Sequence, residues 1–193
     1  MSVVNNAARA RCTSVRIALV AGVSLLLGAT SSAQSAVNFS VSGTSTIRGW
    51  TCEVAGTTEV TPGSATPAPG FSSGVQAATL TVQVGEFECP NEEMTEHLFA
   101  ALKPDEFGEI AFQLDSYETS AQGATATGTL TILDVTQSVR VPVTLTPTGQ
   151  GATIEGEVSL DMTTYGVEPP VVMLGLMKVG PQIRIQFDGL IVP

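Results

Sequence analysis

The sequence predicts an all-β, antiparallel fold with one inserted helix, and three observations support this. Apolar and polar residues alternate in one short segment after another, as in strands that bury a single face. Thr, Gly, Val and Ala are abundant and lysine is scarce, a composition that favours strands joined by turns. One stretch, residues 90–106, has helical periodicity instead. Seven or eight strands are expected, arranged as a barrel or a sandwich.

The first 33 residues have the pattern of a cleaved secretory signal peptide. A basic stretch with no acid precedes an apolar run at 17–29, and small residues surround Ala33, with Ser35 as an alternative cleavage position. An uncleaved membrane anchor is the competing interpretation, disfavoured because the apolar run is short for a membrane span. Residues 34–193 are therefore expected to form a single exported domain.

The mature chain is strongly acidic. It carries 18 acidic and 5 basic residues, a formal charge of −13. Nucleic acid is an unsuitable partner, because neutralising phosphates requires clustered Lys and Arg. The same charge repels anionic lipid headgroups and argues against stable membrane insertion. A lipid ligand would therefore be held inside the protein.

The first two strands present inward faces of opposite parity. Residues 37–42 turn their odd-numbered apolar residues inward, whereas residues 47–54 turn even-numbered residues inward. A bulge or bend at Gly43 or Gly49 would change the phase.

A long loop and a third strand come next. Residues 61–74 are rich in Pro, Gly and Ser and predict an exposed loop. Residues 78–89 alternate cleanly until Gly85, where the phase changes again.

Two cysteines, Cys52 and Cys89, remain in the mature chain. An exported protein meets an oxidising compartment, so the pair predicts a disulfide, with two buried free thiols as the alternative. A metal site fits less well, because two cysteines and the single histidine do not complete a tetrahedral shell.

The helix is predicted over about 91–103. Asn91 is a suitable N-cap, Lys103 suits the last turn and Pro104 ends the helix. An apolar stripe runs along it, and His97 lies beside that stripe. This histidine is interpreted as a solvated or helix-packing residue, with a polar ligand contact as the other reading.

The remaining chain alternates strand after strand. Pro142 predicts an edge position or a bulge within one of these strands. Residues 169–180 are apolar without alternation and predict a buried loop or a short helical turn. The strands are expected within 109–114, 128–135, 138–147, 152–162 and 182–193.

Signatures of catalysis are missing from the sequence. It has no GxSxG elbow, phosphate loop, EF-hand loop or haem CxxCH. We therefore expect neither an enzyme nor a bound metal or cofactor, apart from a lipid ligand.

Four blocks in order carry a family resemblance: "FSVSGTSTIRGWTCEV", "MTEHLFAALKPDEFGEIAFQL", "GTLTILDVTQSVRVPVTL" and "GEVSLDMTTYGV". Together they resemble the YceI-like family of exported bacterial proteins. The resemblance implies an eight-stranded lipocalin-like antiparallel barrel whose apolar tunnel binds a polyisoprenoid, in the periplasm or as a secreted protein. The implied function is transport, storage or stress protection; the alternative is a ligand-free structural or interaction module of the cell envelope. The oligomeric state is left open, a homodimer included.

Inward parity on these strands and the helix selects candidate residues for the wall of the tunnel. They are Leu80, Val82, Leu98, Phe112, Leu114, Leu160, Met173, Leu176, Ile185 and Phe187.

Overall fold

The structure, a computed structural model, describes residues 34–63, 66–121 and 123–193. The predicted signal peptide, residues 1–33, lies outside the described residues. Those described belong to one compact unit, Ser31–Pro193. The elements are strands β1 (Gln34–Ser45), β2 (Gly49–Pro62), β3 (Val75–Gln83), β4 (Glu109–Thr119), β5 (Gly123–Ile132), β6 (Val135–Pro147), β7 (Ala152–Asp161), β8 (Val171–Val172) and β9 (Met177–Ile191), helix α1 (Glu92–Leu102), and 3₁₀ turns at Val84–Glu86, Met162–Tyr165 and Met173–Gly175.

Eight of the strands close into an antiparallel barrel. Strands β1 to β7 pair with their neighbours in chain order, and β9 pairs with both β7 and β1. The two-residue β8 pairs only with β9. Closure removes both sheet edges. The barrel prediction is therefore confirmed, and the sandwich alternative is wrong.

Alternation along each strand sets which side chains face the interior. In β2, the even-numbered residues from Cys52 to Val60 are buried, while the odd-numbered residues between them are exposed. No bulge is needed at Gly43 or Gly49 for the change of parity, because β1 and β2 pair without a register shift and odd-numbered residues face even-numbered ones throughout the hairpin. The register shift near Gly43 lies instead in the pairing of β1 with β9. Pro142 pairs with β5, and the pairing of β6 with β7 begins only at the next residue, so the expected edge position is confirmed locally.

Helix α1 begins and ends close to the predicted positions. The Asn91 side chain caps it by accepting a hydrogen bond from the Met94 backbone N–H at 2.9 Å. Lys103 is the C-cap in a left-handed conformation, φ 51°, rather than a residue of the last turn. Pro104 follows and prevents further helix.

The disulfide between Cys52 and Cys89 is confirmed. It joins β2 to the segment that leads into α1. Beside it, Glu53 and Glu88 exchange two backbone hydrogen bonds of 2.7 and 2.8 Å. The covalent and backbone links together fix where the helix lies over the barrel.

The segment 61–74 corrects one expectation. Strand β2 continues to Pro62, and Ala68 and Phe71 are buried in a core cluster rather than exposed. These two residues pair through backbone hydrogen bonds of 3.1 and 2.8 Å. The loop therefore folds across one end of the barrel, because its single aromatic residue gains more by covering the core than by facing water. We call this the closed end.

The opposite end is formed by three segments. These are the β1–β2 turn at 45–49, helix α1, and residues 162–176 between β7 and β9. We call it the open end, because exposed side chains such as Ile47 and Glu93 lie at the margin of the interior there.

Candidate ligand-binding cavity

The barrel interior holds a cavity with two lobes. The closed-end lobe has a volume of about 210 Å³ and the open-end lobe about 580 Å³. Four residues line both lobes, namely Phe39, Leu80, Leu130 and Ile185. We call these four the waist. The lobes are therefore adjacent inside the barrel, and the open-end lobe alone falls in the size range usual for small-molecule sites.

The closed-end lobe is almost wholly apolar. Its polar side chains are Thr58, Thr79 and Tyr117. The Tyr117 hydroxyl donates to the Thr66 carbonyl and accepts from the Val75 backbone N–H at 3.0 Å. Thr58 is buried, and its hydroxyl has no hydrogen-bond partner among the described residues. Such a lobe suits hydrocarbon.

Many inward side chains remain partly accessible, which separates a cavity from a filled core. Leu114, Val139, Val158 and Leu160 point into the barrel yet are only half-buried. In a close-packed interior, side chains at such positions would contact each other and exclude water. The sequence left this choice open, and the geometry favours the cavity.

Two aromatic rings pack over glycines of the neighbouring strands. A Cβ built on Gly156 would come 2.3 Å from Phe187 Cζ, and one on Gly128 would come 2.6 Å from Phe112 Cζ. Any residue larger than glycine at positions 156 and 128 would collide with these rings. Their position against the wall leaves the middle of the barrel unfilled.

The open-end lobe combines an apolar wall with polar groups. Trp50 and the apolar stripe of α1 line it, and so do Arg48, Glu93 and His97. Trp50 Nε1 and His97 Nε2 are buried without a hydrogen-bond partner among the described residues. His97 Nε2 lies 3.8 Å from Glu93 Oε1, too far for a hydrogen bond. Unpaired ring nitrogens in a pocket are the groups that would bond a polar ligand atom.

The structure places most of the sequence-predicted wall residues on the cavity. Eight line it: Leu80, Val82, Leu98, Phe112, Leu114, Leu160, Ile185 and Phe187. Contact with a ligand stays a prediction for all eight. The side chain of Met173 lies outside the described residues.

Leu176 is the exception and is a wrong prediction. It is 75% exposed and does not line the cavity. The segment 169–180 is not a buried loop. It forms β8, a 3₁₀ turn at Met173–Gly175, which agrees with the alternative of a short helical turn, and the start of β9. Apolar composition without alternation does not show whether a segment is buried in the barrel or exposed at its margin.

Several lining residues were missed by the sequence reasoning. Ala124 and Ala126 line the closed-end lobe from β5, and they share the parity of Leu130, so extending the alternation would have found them. Phe71 and Val167 line the two lobes from segments between strands. No periodic signal could have placed those two.

A buried tyrosine supports the wall at the open end. Tyr165 ends the 3₁₀ turn after β7, is 2% exposed, and packs in a cluster with Ile132 and Met162. Burial raises the pKa of its phenol, because the ionised form would lose its hydration. Gly166 follows with φ 76°, a conformation that glycine adopts at low cost. This accounts for the Tyr-Gly pair in the fourth sequence block.

Neither a metal cluster nor a membrane helix occurs in the described residues. There, no three His, Cys, Asp or Glu side chains are grouped to hold a metal ion. Within the same part of the chain, no helix is long and apolar enough to cross a membrane.

A closed antiparallel barrel around an apolar cavity, with a margin of polar groups at one end, defines a class of small-molecule-binding barrels. The chain belongs to the YceI-like domain family, whose model matches residues 29–190. A comparison with curated protein sequences found no match.

Solved structures share the fold at low sequence identity. A polyisoprenoid-binding domain from Saccharophagus degradans, implicated in plant cell wall breakdown, matches with a TM-score of 0.61 and 9% identity, covering 82% of this chain and 97% of its own. Burkholderia cenocepacia BcnA matches with a TM-score of 0.57 and 19% identity, covering 78% and 94%. A Campylobacter jejuni YceI protein matches with a TM-score of 0.51 and 15% identity, covering 59% and 70%.

Proposed function

We propose that this protein is a binding protein that holds a polyisoprenoid or similar long-chain lipid in its barrel. The observation that carries the proposal is the apolar barrel interior, whose two lobes share the four residues of the waist as lining. Membership of the YceI-like family supports it, as does the likeness in fold to a domain described as polyisoprenoid-binding.

Hydrophobic burial alone is enough to hold such a ligand. Each CH₂ group transferred from water to an apolar site contributes about 0.8 kcal/mol. A chain of several isoprene units therefore binds tightly without hydrogen bonds, which explains a binding site with so few polar groups.

The two lobes suggest an orientation for the ligand. The hydrocarbon end would occupy the closed-end lobe, where the wall is nearly all apolar. A polar head would lie in the open-end lobe, within reach of the unpaired nitrogens of Trp50 and His97. The opposite orientation would bury a polar head against a single unpaired hydroxyl, that of Thr58, at a desolvation cost.

The proposed activity is binding rather than catalysis, with no cofactor other than the lipid. Its purpose would be transport, storage or stress protection in the bacterial periplasm or outside the cell. The basic and apolar pattern of residues 1–33 supports export. The disulfide between Cys52 and Cys89 also favours an oxidising compartment.

Native mass spectrometry of the mature protein, exported by a bacterial host, tests the proposal. The expected result is a stoichiometric adduct that is extracted into organic solvent and identified as an isoprenoid or another long-chain lipid. The same spectrum reports whether the protein is a monomer or a homodimer. A clean ligand-free mass, unchanged after incubation with prenyl quinones, would favour the structural or interaction module of the cell envelope instead.

A further inference from the structure

The margin of the open end carries a joined pair of exposed apolar loops. The turn at 45–48 and the segment 171–178 are tied by hydrogen bonds: the Thr46 backbone N–H donates to the Lys178 carbonyl at 3.0 Å, and its hydroxyl donates to the Leu176 carbonyl at 3.1 Å. The Lys178 backbone N–H in turn donates to the Thr46 hydroxyl at 3.2 Å. The two loops therefore form one surface.

Four large hydrophobic side chains project from this surface, and we call them the rim. They are Ile47, Val171, Leu174 and Leu176, with exposed fractions of 61%, 60%, 105% and 75%. In the described part of the chain, one further large hydrophobic residue is exposed, Leu190 at 39%, near the closed end of β9. Exposed apolar side chains gathered at one place mark an interaction surface.

The backbone holds the outermost rim residue away from the protein. Leu174 has φ 54°, a left-handed conformation that non-glycine residues rarely adopt, and Gly175 follows with φ 88°. Leu174 gains nothing from burial in return, since it is fully exposed. Conformational strain combined with exposure indicates that the contact partner lies outside this chain.

Charge identifies the kind of partner. Arg48 lies next to Ile47, and Lys178 lies two residues after Leu176. The two loops that form the rim surface, 45–48 and 171–178, contain these two of the five basic residues after position 33 and none of the 18 acids. On an otherwise acidic protein, the rim is thus apolar and locally basic. Apolar side chains flanked by cations match the headgroup region of an anionic bilayer.

We propose that the rim docks the open end of the barrel onto the surface of an anionic lipid bilayer. Ile47 of the rim and its neighbour Arg48 both line the open-end lobe, so docking would bring the mouth of the cavity against the lipid. The acidic remainder of the chain, including Glu93 on α1 across the mouth, is repelled by the same surface. Binding is therefore weak, reversible and oriented, which agrees with the expected lack of stable insertion.

This docking goes beyond the proposed lipid-carrying function, and it is measurable on protein from which lipid has been removed. A failure to dock would leave ligand binding in the cavity untouched. An empty cavity would likewise leave docking untouched.

Vesicle flotation tests the proposal with phosphatidylcholine vesicles, with and without phosphatidylglycerol, at low and high salt. Wild-type protein is expected to float with the anionic vesicles at low salt. The double variant L174S/L176S should reduce the partition coefficient about tenfold or more, because two leucines no longer enter the interface. Arg48→Gln and Lys178→Gln should each reduce it about fivefold at low salt and have little effect at high salt.

Matched controls come from the same chain. Leu190→Ser removes the exposed leucine near the closed end, and Arg140→Gln removes a cation on β6 that pairs with Glu118; both should float like wild type. The proposal is overturned if wild type does not float, or if rim and control variants float alike. It is also overturned if the rim variants abolish a concentration-dependent dimer while vesicle binding is absent, since the rim would then contact a second copy of the chain.

Discussion

Blocking the waist should separate long ligands from short ones. Leu130 lies on β5 and lines both lobes. In a Leu130→Trp variant the larger side chain fills the passage between the lobes. The cavity provides space for it, so overpacking costs little compared with the same change in a filled core.

The expected loss follows from the volume of the closed-end lobe. That lobe measures about 210 Å³, which at about 30 Å³ for a water-sized group corresponds to about seven such groups. It therefore accommodates about one five-carbon isoprene unit. At about 0.8 kcal/mol per carbon group, excluding that unit removes about 4 kcal/mol of binding free energy. The dissociation constant of a long ligand should rise about 10³-fold.

Competition binding with prenyl alcohols of increasing length measures this effect. A short alcohol that occupies only the open-end lobe should bind Leu130→Trp and wild type alike, which also shows that the variant folds. Thr129→Trp places the same bulk on the outer face of β5 and should bind every ligand normally. Equal affinity of Leu130→Trp and wild type for a long ligand would refute a path through the waist, as would an equal loss in Thr129→Trp.

Three further predictions concern stability. Replacing Cys52 and Cys89 by serine opens a loop with a sequence separation of 37 and should lower the free energy of unfolding by about 4 kcal/mol; urea denaturation compared with wild type measures it, and an unchanged midpoint would contradict it. Phe71→Ala should cost about 3–5 kcal/mol and admit water at the closed end, and a loss below 1 kcal/mol would show that the loop does not cover the core. Burial raises the pKa of Tyr165, so the unfolded protein loses this proton at lower pH than the folded one, and stability should fall as pH rises above about 10, the pKa of free tyrosine. Tyr165→Phe should flatten that decline. If urea midpoints between about pH 9 and 11 fall equally in Tyr165→Phe and wild type, the decline does not come from Tyr165.

Alternation predicted the barrel well because each strand separates one apolar face from one aqueous face. In β7, Ile154 and Val158 share the parity of the predicted wall residue Leu160, and all three line the cavity. The same parity selected Phe112 and Phe187. Parity tells which face of a sheet a residue lies on. Because a barrel is one sheet closed on itself, one of these faces is the interior, and parity alone predicts which side chains face inward.

The ends of the barrel could not be predicted in the same way. Segments that cross an end of the barrel have no alternating face, so their burial could be predicted only from their amino-acid composition. Pro, Gly and Ser content predicted exposure for 61–74, yet Phe71 is buried there. Apolar content predicted burial for 169–180, yet Leu174 and Leu176 are exposed. In both cases the outcome depends on which neighbours the loop meets, and that is information held in the tertiary structure.

The distinction between a cavity and a filled core also required coordinates. Inward residues have the same parity in either case, and the total side-chain volume depends on where the aromatic rings lie. The rings of Phe112 and Phe187 rest on Gly128 and Gly156, so they leave the centre of the barrel unfilled. A sequence pattern of alternate apolar residues does not record that placement.

A crystal structure of the mature protein purified with its native lipid tests the central claim most directly. The account predicts continuous ligand density that enters at the open end, passes between Leu80, Leu130 and Ile185, and ends against Phe71 in the closed-end lobe. Side chains packed across the waist, with no ligand density inside the barrel, would contradict it.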